Sequence, residues 1–126
     1  MKLTLYPTLE EALELHKRLV ERFGGTDGIR DRGLLQSALS RPQTGYYESL
    51  SLQAAALLQS LSLNHAFVDG NKRVAFALTA IFLRMNGYRL KVDPDNGENF
   101  LIDTVIKRKA DLEIVSTWIE EGSHKI

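Results

Sequence analysis

The chain contains no cysteine, so disulfides, thiolate metal centres and cysteine nucleophiles are excluded from the start, and the absence fits a reducing cytoplasm. Long apolar runs are missing as well. Nothing approaches the roughly 18 consecutive apolar residues that span a bilayer, and the opening Met1-Lys2-Leu3-Thr4-Leu5-Tyr6-Pro7 has no signal-peptide hydrophobic stretch. A soluble cytoplasmic protein is therefore expected. Net charge is absent too: sixteen Lys and Arg balance sixteen Asp and Glu, which removes the broad basic footprint of a protein that binds long nucleic acid. No segment is repetitive or polar enough to form a linker or a disordered region, so residues 1–126 are read as a single domain. That length buries about two thirds of the surface its unfolded chain exposes.

What the chain does contain is helical periodicity. Thr8, followed three residues later by Glu11, reads as a capping box, and Leu9, Ala12, Leu13, Leu19, Val20 and Phe23 follow helical spacing up to Gly24-Gly25. Asp31 is a suitable N-cap for a short helix that Pro42 stops. Residues 43–50 mix turn chemistry with Tyr46 and Tyr47, which suits a small hairpin or flap. Ser51 is expected to cap the next helix, whose Leu52, Ala54, Ala55, Ala56, Leu57, Leu58 and Leu61 leave almost no polar face. The segment from Val74 to Met85 is equally apolar. Helices apolar nearly all round belong at the centre of a bundle. Tyr88 to Val92 suits a short extended segment, and Asp93-Pro94-Asp95-Asn96-Gly97 a turn. Helices around 98–107 and 112–121 complete the expectation, an all-α bundle of about six helices with a small β-hairpin or flap.

Between the two central helices lies His65-Ala66-Phe67-Val68-Asp69-Gly70-Asn71-Lys72-Arg73. Lys72 and Arg73 fall where a helix begins, and there the helix dipole disfavours each cation by roughly 0.3–1 kcal/mol. A local violation of this kind points to an anionic ligand. Transfer of a phosphoryl or nucleotidyl group needs a base beside the attacking hydroxyl, a divalent ion on the phosphates and positive groups around the transition state. His65, an imidazole, suits the base, and Asp69 is a hard oxygen ligand of the type Mg²⁺ takes. Gly70 lets main-chain N–H groups approach an anion, while Asn71, Lys72 and Arg73 add an amide and two cations to the free N–H groups of the first helical turn. Phe67 is expected to plug the loop into the core. Taken singly, such residues are usually structural, because Asp-Gly and Asn are common in loops and Lys and Arg are commonly solvated. The conjunction carries the signal. The spacing is neither that of a P-loop nor that of a zincin helix.

The same nine residues resemble the signature loop of the Fic/Doc family, H-x-F-x-(D/E/N)-(A/G)-N-(G/K)-R. Gly24-Gly25, Gly28-Ile29-Arg30-Asp31, Gly33-Leu34-Leu35, Ser37-Ala38-Leu39, Arg41-Pro42-Gln43 and Asn86-Gly87-Tyr88 extend the resemblance towards death-on-curing (Doc) type members. It implies a Fic-type helical fold, with His65 as base, Asp69 on Mg²⁺, and Gly70, Asn71, Lys72 and Arg73 on the phosphates of ATP. Adenylyl-transferring members carry glycine where this chain has Lys72, and a second arginine where it has Phe76. Lysine at that position resembles the Doc kinases and implies transfer of the terminal phosphate of ATP to a hydroxyl side chain of a translation factor, elongation factor Tu, with arrest of translation. Adenylyl transfer is the alternative within the family, and a non-catalytic helical module that binds a nucleotide or peptide is the alternative outside it. The resemblance also implies a target-aligning flap near Gln43–Tyr47. Its further implication is a small antitoxin partner whose disordered C-terminal segment folds into a groove. Thr117 to Gly122 matches the pattern (S/T)-x-x-x-E-(G/N) of a built-in inhibitory helix. The arginine its glutamate pairs with is missing, and Trp118 and Ile119 fit better as the inner face of a last core helix.

Three other features have simpler readings. His16, on the apolar stripe of the first helix, is expected to be a hydrogen-bonded, partly buried core histidine. His124 is read as a solvated tail residue, and Lys107-Arg108-Lys109 as a solvated surface.

Overall fold

Thr8 opens the first helix as its spacing predicts: its hydroxyl accepts from the Glu11 amide at 3.1 Å, and the Glu11 carboxylate accepts from the Thr8 amide at 3.0 Å. In the computed structural model, which describes residues 3–126, this helix, α1, runs over Leu9–Phe23 and stops at Gly24, whose φ of 88° only glycine adopts readily. Asp31 caps α2 (Arg32–Ser40) through the Leu34 amide at 3.0 Å, and a single 3₁₀ turn, Arg41–Gln43, follows with Pro42 buried. The apolar helices expected at the centre are α3 (Leu50–Asn64) and α4 (Asn71–Met85). They pack on each other; α3 also meets α2, α6 (Leu112–Gly122) and the turns between, while α1 lies on α4. Ala54, Ala55, Ala56, Leu57, Leu58 and Leu61 of α3 and Val74, Ala75, Leu78, Phe82 and Leu83 of α4 are almost wholly inaccessible. Burial of a side chain the size of Phe82 stabilises the fold by about 2–3 kcal/mol. The core thus centres on the two helices that flank the nine-residue loop.

The all-α architecture with a little β structure holds, but several boundaries differ. The cap of α3 is Ser49, not Ser51: the Ser49 hydroxyl reaches the Leu52 amide at 3.1 Å, and Ser51 falls inside the first turn. No hairpin forms over 43–50. Arg41 donates to the Tyr47 hydroxyl at 2.7 Å and Gln53 donates to the Tyr47 carbonyl at 3.1 Å, so this segment is tied back onto α3. The two-stranded sheet lies elsewhere, with β1 (Tyr88–Leu90) antiparallel to β2 (Ser123–Lys125) and Arg89 opposite His124. His124 is exposed, as expected, but sits in a strand rather than a free tail. Asp93-Pro94 starts a helix instead of a turn. The Asp93 carboxylate caps α5 (Pro94–Asn99) through the Asn96 amide, using residue types that serve turns and helix starts alike. The chain then continues as a wide π-helical stretch, Phe100–Lys107. In α6, Ile119 is fully buried and the Trp118 ring stacks on Phe100 with centroids 4.0 Å apart, in keeping with a last core helix. No helix among the described residues is long and apolar enough to cross a membrane.

Candidate active site

Helix α3 ends at His65, whose φ of 51° and ψ of 49° put a non-glycine residue in the left-handed region at a cost of about 1 kcal/mol or more. Arg30 supports that turn. Its guanidinium donates to the carbonyl of His65 at 2.5 Å and to that of Asn64 at 2.9 Å, satisfying acceptors the helix end leaves open. The main chain of the same segment adds three bonds: the Arg30 and Asp31 amides donate to the Ala66 carbonyl, and the Val68 amide donates to the Gly28 carbonyl. Ile29 pairs with Phe67 as an isolated antiparallel bridge. Phe67 is buried as expected and faces His16, with ring centroids 3.9 Å apart. His65 itself is exposed.

The Asp69 carboxylate is held by two main-chain amides, Thr26 to Oδ2 at 3.1 Å and Gly70 to Oδ1 at 2.8 Å. These bonds, Thr26's above all and then Gly70's, hold its pKa below the ordinary carboxylate value, helped by the Arg73 charge. Asp69 is exposed and charged, with lone pairs left over on both oxygens. Among the described residues no group of three or more acids, histidines or cysteines could hold a metal ion. A single ionised carboxylate fits a hard divalent cation that brings its own waters and phosphate ligands, as Mg²⁺ does.

Gly70 caps α4 in the left-handed region, with φ 77° and no side chain to offer. The first intrahelical bond runs from Val74 to the Gly70 carbonyl, so the N–H groups of Asn71, Lys72 and Arg73 have no helical acceptor. The Asn71 amide is engaged at both ends by Phe67: Oδ1 accepts from its N–H and Nδ2 donates to its carbonyl, each at 3.0 Å. Asn71 therefore braces the loop with its side chain and offers its main-chain N–H outward. The Arg73 guanidinium lies over the Phe23 ring, 4.7 Å from its centroid. His65, Asp69, Gly70, Asn71, Lys72 and Arg73 all line one cavity of about 860 Å³. Its remaining wall is mostly apolar, including Leu19, Phe23, Phe76 and Leu101.

Residues 6–83 match the Fic/DOC family. The chain belongs to that family. Over 101 residues, 75% of this chain and 77% of the relative, it is 48% identical to a protein named Toxin Doc from Mycolicibacterium smegmatis. Over 90 residues, 68% of this chain and 71% of the relative, it is 33% identical to a protein of Escherichia phage P1 named Protein kinase doc. The family match covers the signature loop, α1 to α3 and nearly all of α4.

Four residues that serve this loop escape a reading of the loop alone: His16, Gly25, Thr26 and Arg30. Thr26 acts through its main chain, which leaves no trace in residue type. Gly25 leaves one, since a helix end needs a single glycine and this chain has two. A Cβ on Gly25 would stand 2.9 Å from Asp69 Oδ2, so the second glycine lets the backbone close on the carboxylate.

Proposed function

We propose that this Fic/DOC protein is a Doc-type toxin kinase, which transfers the terminal phosphate of ATP to a Thr or Ser hydroxyl of a translation factor, with elongation factor Tu the expected target, and so arrests translation. The observation that carries the reading is the convergence of His65, Asp69, Gly70, Asn71, Lys72 and Arg73 on one cavity at the start of α4. The relative named as a protein kinase supports it. In this scheme the hydroxyl oxygen of the target attacks the γ-phosphorus and the bond from that phosphorus to the bridging oxygen breaks. ADP departs, and His65 takes the hydroxyl proton. Lys72, Arg73 and the free N–H groups of α4 bind and neutralise the phosphate oxygens. Asp69 would hold Mg²⁺, which supplies charge neutralisation on the phosphates when bound. Lys72 occupies the place where adenylyl-transferring members have glycine, and Phe76 replaces their second arginine; both favour transfer of the terminal phosphate.

A small antitoxin is the proposed regulatory partner, its disordered C-terminal segment folding as a helix against the apolar wall beside the loop. Phe23 and Val68, each more than half exposed next to the charged residues, support an apolar partner there. The target-aligning role expected for Gln43–Tyr47 is part of the same proposal; the segment is a 3₁₀ turn followed by bends, with Tyr46 exposed.

Incubation with elongation factor Tu and Mg²⁺, once with ATP labelled on the terminal phosphate and once on the α-phosphate, tests the reading. Incorporation of the terminal label alone is expected, and it disappears in His65→Ala. Incorporation of the α-label instead identifies adenylyl transfer. No incorporation of either, in this factor or across a cell lysate, refutes catalysis and leaves a binding module.

A further inference from the structure

His16 lies outside the signature loop and has no part in the scheme above, yet its imidazole is 2% exposed and touches the loop on two sides. Its face stacks on Phe67, 3.9 Å between centroids and 10° from parallel, and its Nε2 lies 2.7 Å from the carbonyl oxygen of Asp69. A carbonyl has no proton to give, so Nε2 is the donor. On the other edge Nδ1 faces the Asp27 carboxylate at 3.7 Å, and Asp27 in turn accepts from the Gly28 amide at 2.8 Å. Beneath Gly70 the same ring fills the floor: a Cβ there would meet Nε2 at 3.5 Å.

We propose that His16 is a positioning residue, which orients the Asp69 carboxylate and the Gly70 amide that holds it by fixing the peptide that joins them. The C=O and N–H of a trans peptide point in opposite directions on one rigid plane. His16 draws the Asp69 carbonyl into the core, so the Gly70 N–H must point away from it, and that N–H holds Asp69 Oδ1 at 2.8 Å. Gly70 tolerates either orientation of this peptide, because without a Cβ it populates positive and negative φ alike. Gly70 thus does not select its orientation. On the N–H side the Asp69 carboxylate, anchored by Thr26, favours it, and on the carbonyl side His16 does so from a helix 53 residues away in sequence. The catalytic consequence rests on the phosphotransferase reading, whereas the structural one does not.

The test compares His16→Phe, which keeps an aromatic ring against Phe67 but has no donor, with His16→Gln, whose amide can still donate to the carbonyl. In ¹⁵N-labelled protein, His16→Phe is expected to speed hydrogen exchange at the Gly70 amide about tenfold while unfolding remains cooperative. Its kcat for phosphate transfer falls about 10–100-fold, the effect expected of a misplaced catalytic group. The KM for ATP moves far less than kcat. His16→Gln restores both exchange and kcat towards wild type. A folded His16→Phe with wild-type exchange at Gly70 overturns the proposal whatever its kcat, and so does a His16→Gln as impaired as His16→Phe. If His16→Phe fails to fold, His16→Met serves as the donor-less variant. The wild type provides an independent measurement: imidazole ¹⁵N spectra must show Nε2 carrying a proton, and a bare Nε2 overturns the proposal. Exchange and tautomer need no substrate, so a wild-type chain devoid of transferase activity refutes the proposed function and still leaves His16 to be judged on these two readouts.

Discussion

Replacing Asn71 by alanine separates the architecture of the loop from its chemistry. The Asn71 amide closes the turn with two bonds to the main chain of Phe67, each 3.0 Å long and partly buried. Each such bond contributes about 1 kcal/mol net. Truncation also strands the Phe67 N–H and C=O beside a side chain that is 2% exposed. Partial desolvation of those groups adds to the loss, and the better helix propensity of alanine at the first position of α4 returns at most about 0.5 kcal/mol. The expected net destabilisation is about 2 kcal/mol, which for a domain of this length lowers the melting temperature by about 6–10 °C. Thermal unfolding followed by far-UV circular dichroism measures it. Asn71→Asp should fall between the two proteins. It keeps the acceptor for the Phe67 N–H and gains about 0.3–1 kcal/mol from a negative charge at a helix N-terminus, but it sets a carboxylate oxygen against the Phe67 carbonyl. An Asn71→Ala protein melting within about 2 °C of wild type would show that the amide is free for a ligand and refute the bracing role.

Gly25→Ala and Gly24→Ala form a differential pair. Both glycines have positive φ, 110° and 88°, so each substitution should cost about 1–2 kcal/mol of strain. Only the methyl at Gly25 meets the Asp69 carboxylate, at 2.9 Å, while a Cβ at Gly24 has nothing within 4 Å. Similar losses in melting temperature are therefore expected, with a raised Mg²⁺ requirement for transfer in Gly25→Ala alone; equal Mg²⁺ requirements would contradict the close approach. The lowered pKa of Asp69 gives a pH prediction. A carboxyl whose folded pKa is depressed contributes stability above its unfolded value of about 3.9 and loses it as pH falls through the lower folded value. Asp69 should therefore remain ionised as ordinary aspartates protonate. Carboxyl ¹³C titration by NMR checks this, and a midpoint above about 3.9 would contradict the Thr26 and Gly70 bonds as its cause.

The parts of the fold that depend on local chemistry were legible: the capping box at Thr8 and Glu11, the Asp31 cap, and the two central helices with hardly a polar face. So was the loop, because its chemistry is concentrated in nine consecutive residues. What escaped is of two kinds. Residue types that serve two purposes misplace boundaries, as with Ser49 against Ser51, or Asp93-Pro94 opening a helix where a turn was equally well signalled. Contacts across long sequence separations leave no periodic trace. The sheet joins Tyr88–Leu90 to the last residues of the chain, Arg30 reaches carbonyls more than thirty residues away, and Thr26 works through a main-chain N–H that any residue but proline provides. His16 was legible as a buried, hydrogen-bonded histidine. Its partner was not, because that partner is a backbone carbonyl.

The start of α4 is locally unfavourable in three respects. Gly70 forgoes the side-chain cap worth about 1 kcal/mol, Lys72 and Arg73 oppose the dipole at about 0.3–1 kcal/mol each, and His65 holds a left-handed turn at about 1 kcal/mol or more. Together these approach 3–4 kcal/mol, and the residues involved are those that line the cavity. The offset comes from the same two helices. Phe67 plugs the loop, and Phe82 and Leu78 of α4 with Leu57, Leu58 and Leu61 of α3 are at most 2% exposed, each contributing about 1.5–3 kcal/mol by burial. Two opposed cations, a strained histidine and a cap without a side chain thus coincide in the short stretch that lines the cavity, while the helices that carry it are apolar nearly all round. A loop of this composition between less deeply buried helices would relax by fraying the first turn of α4. That turn carries the amides of Asn71, Lys72 and Arg73, so the depth of the core is itself what keeps the anion-facing groups in place.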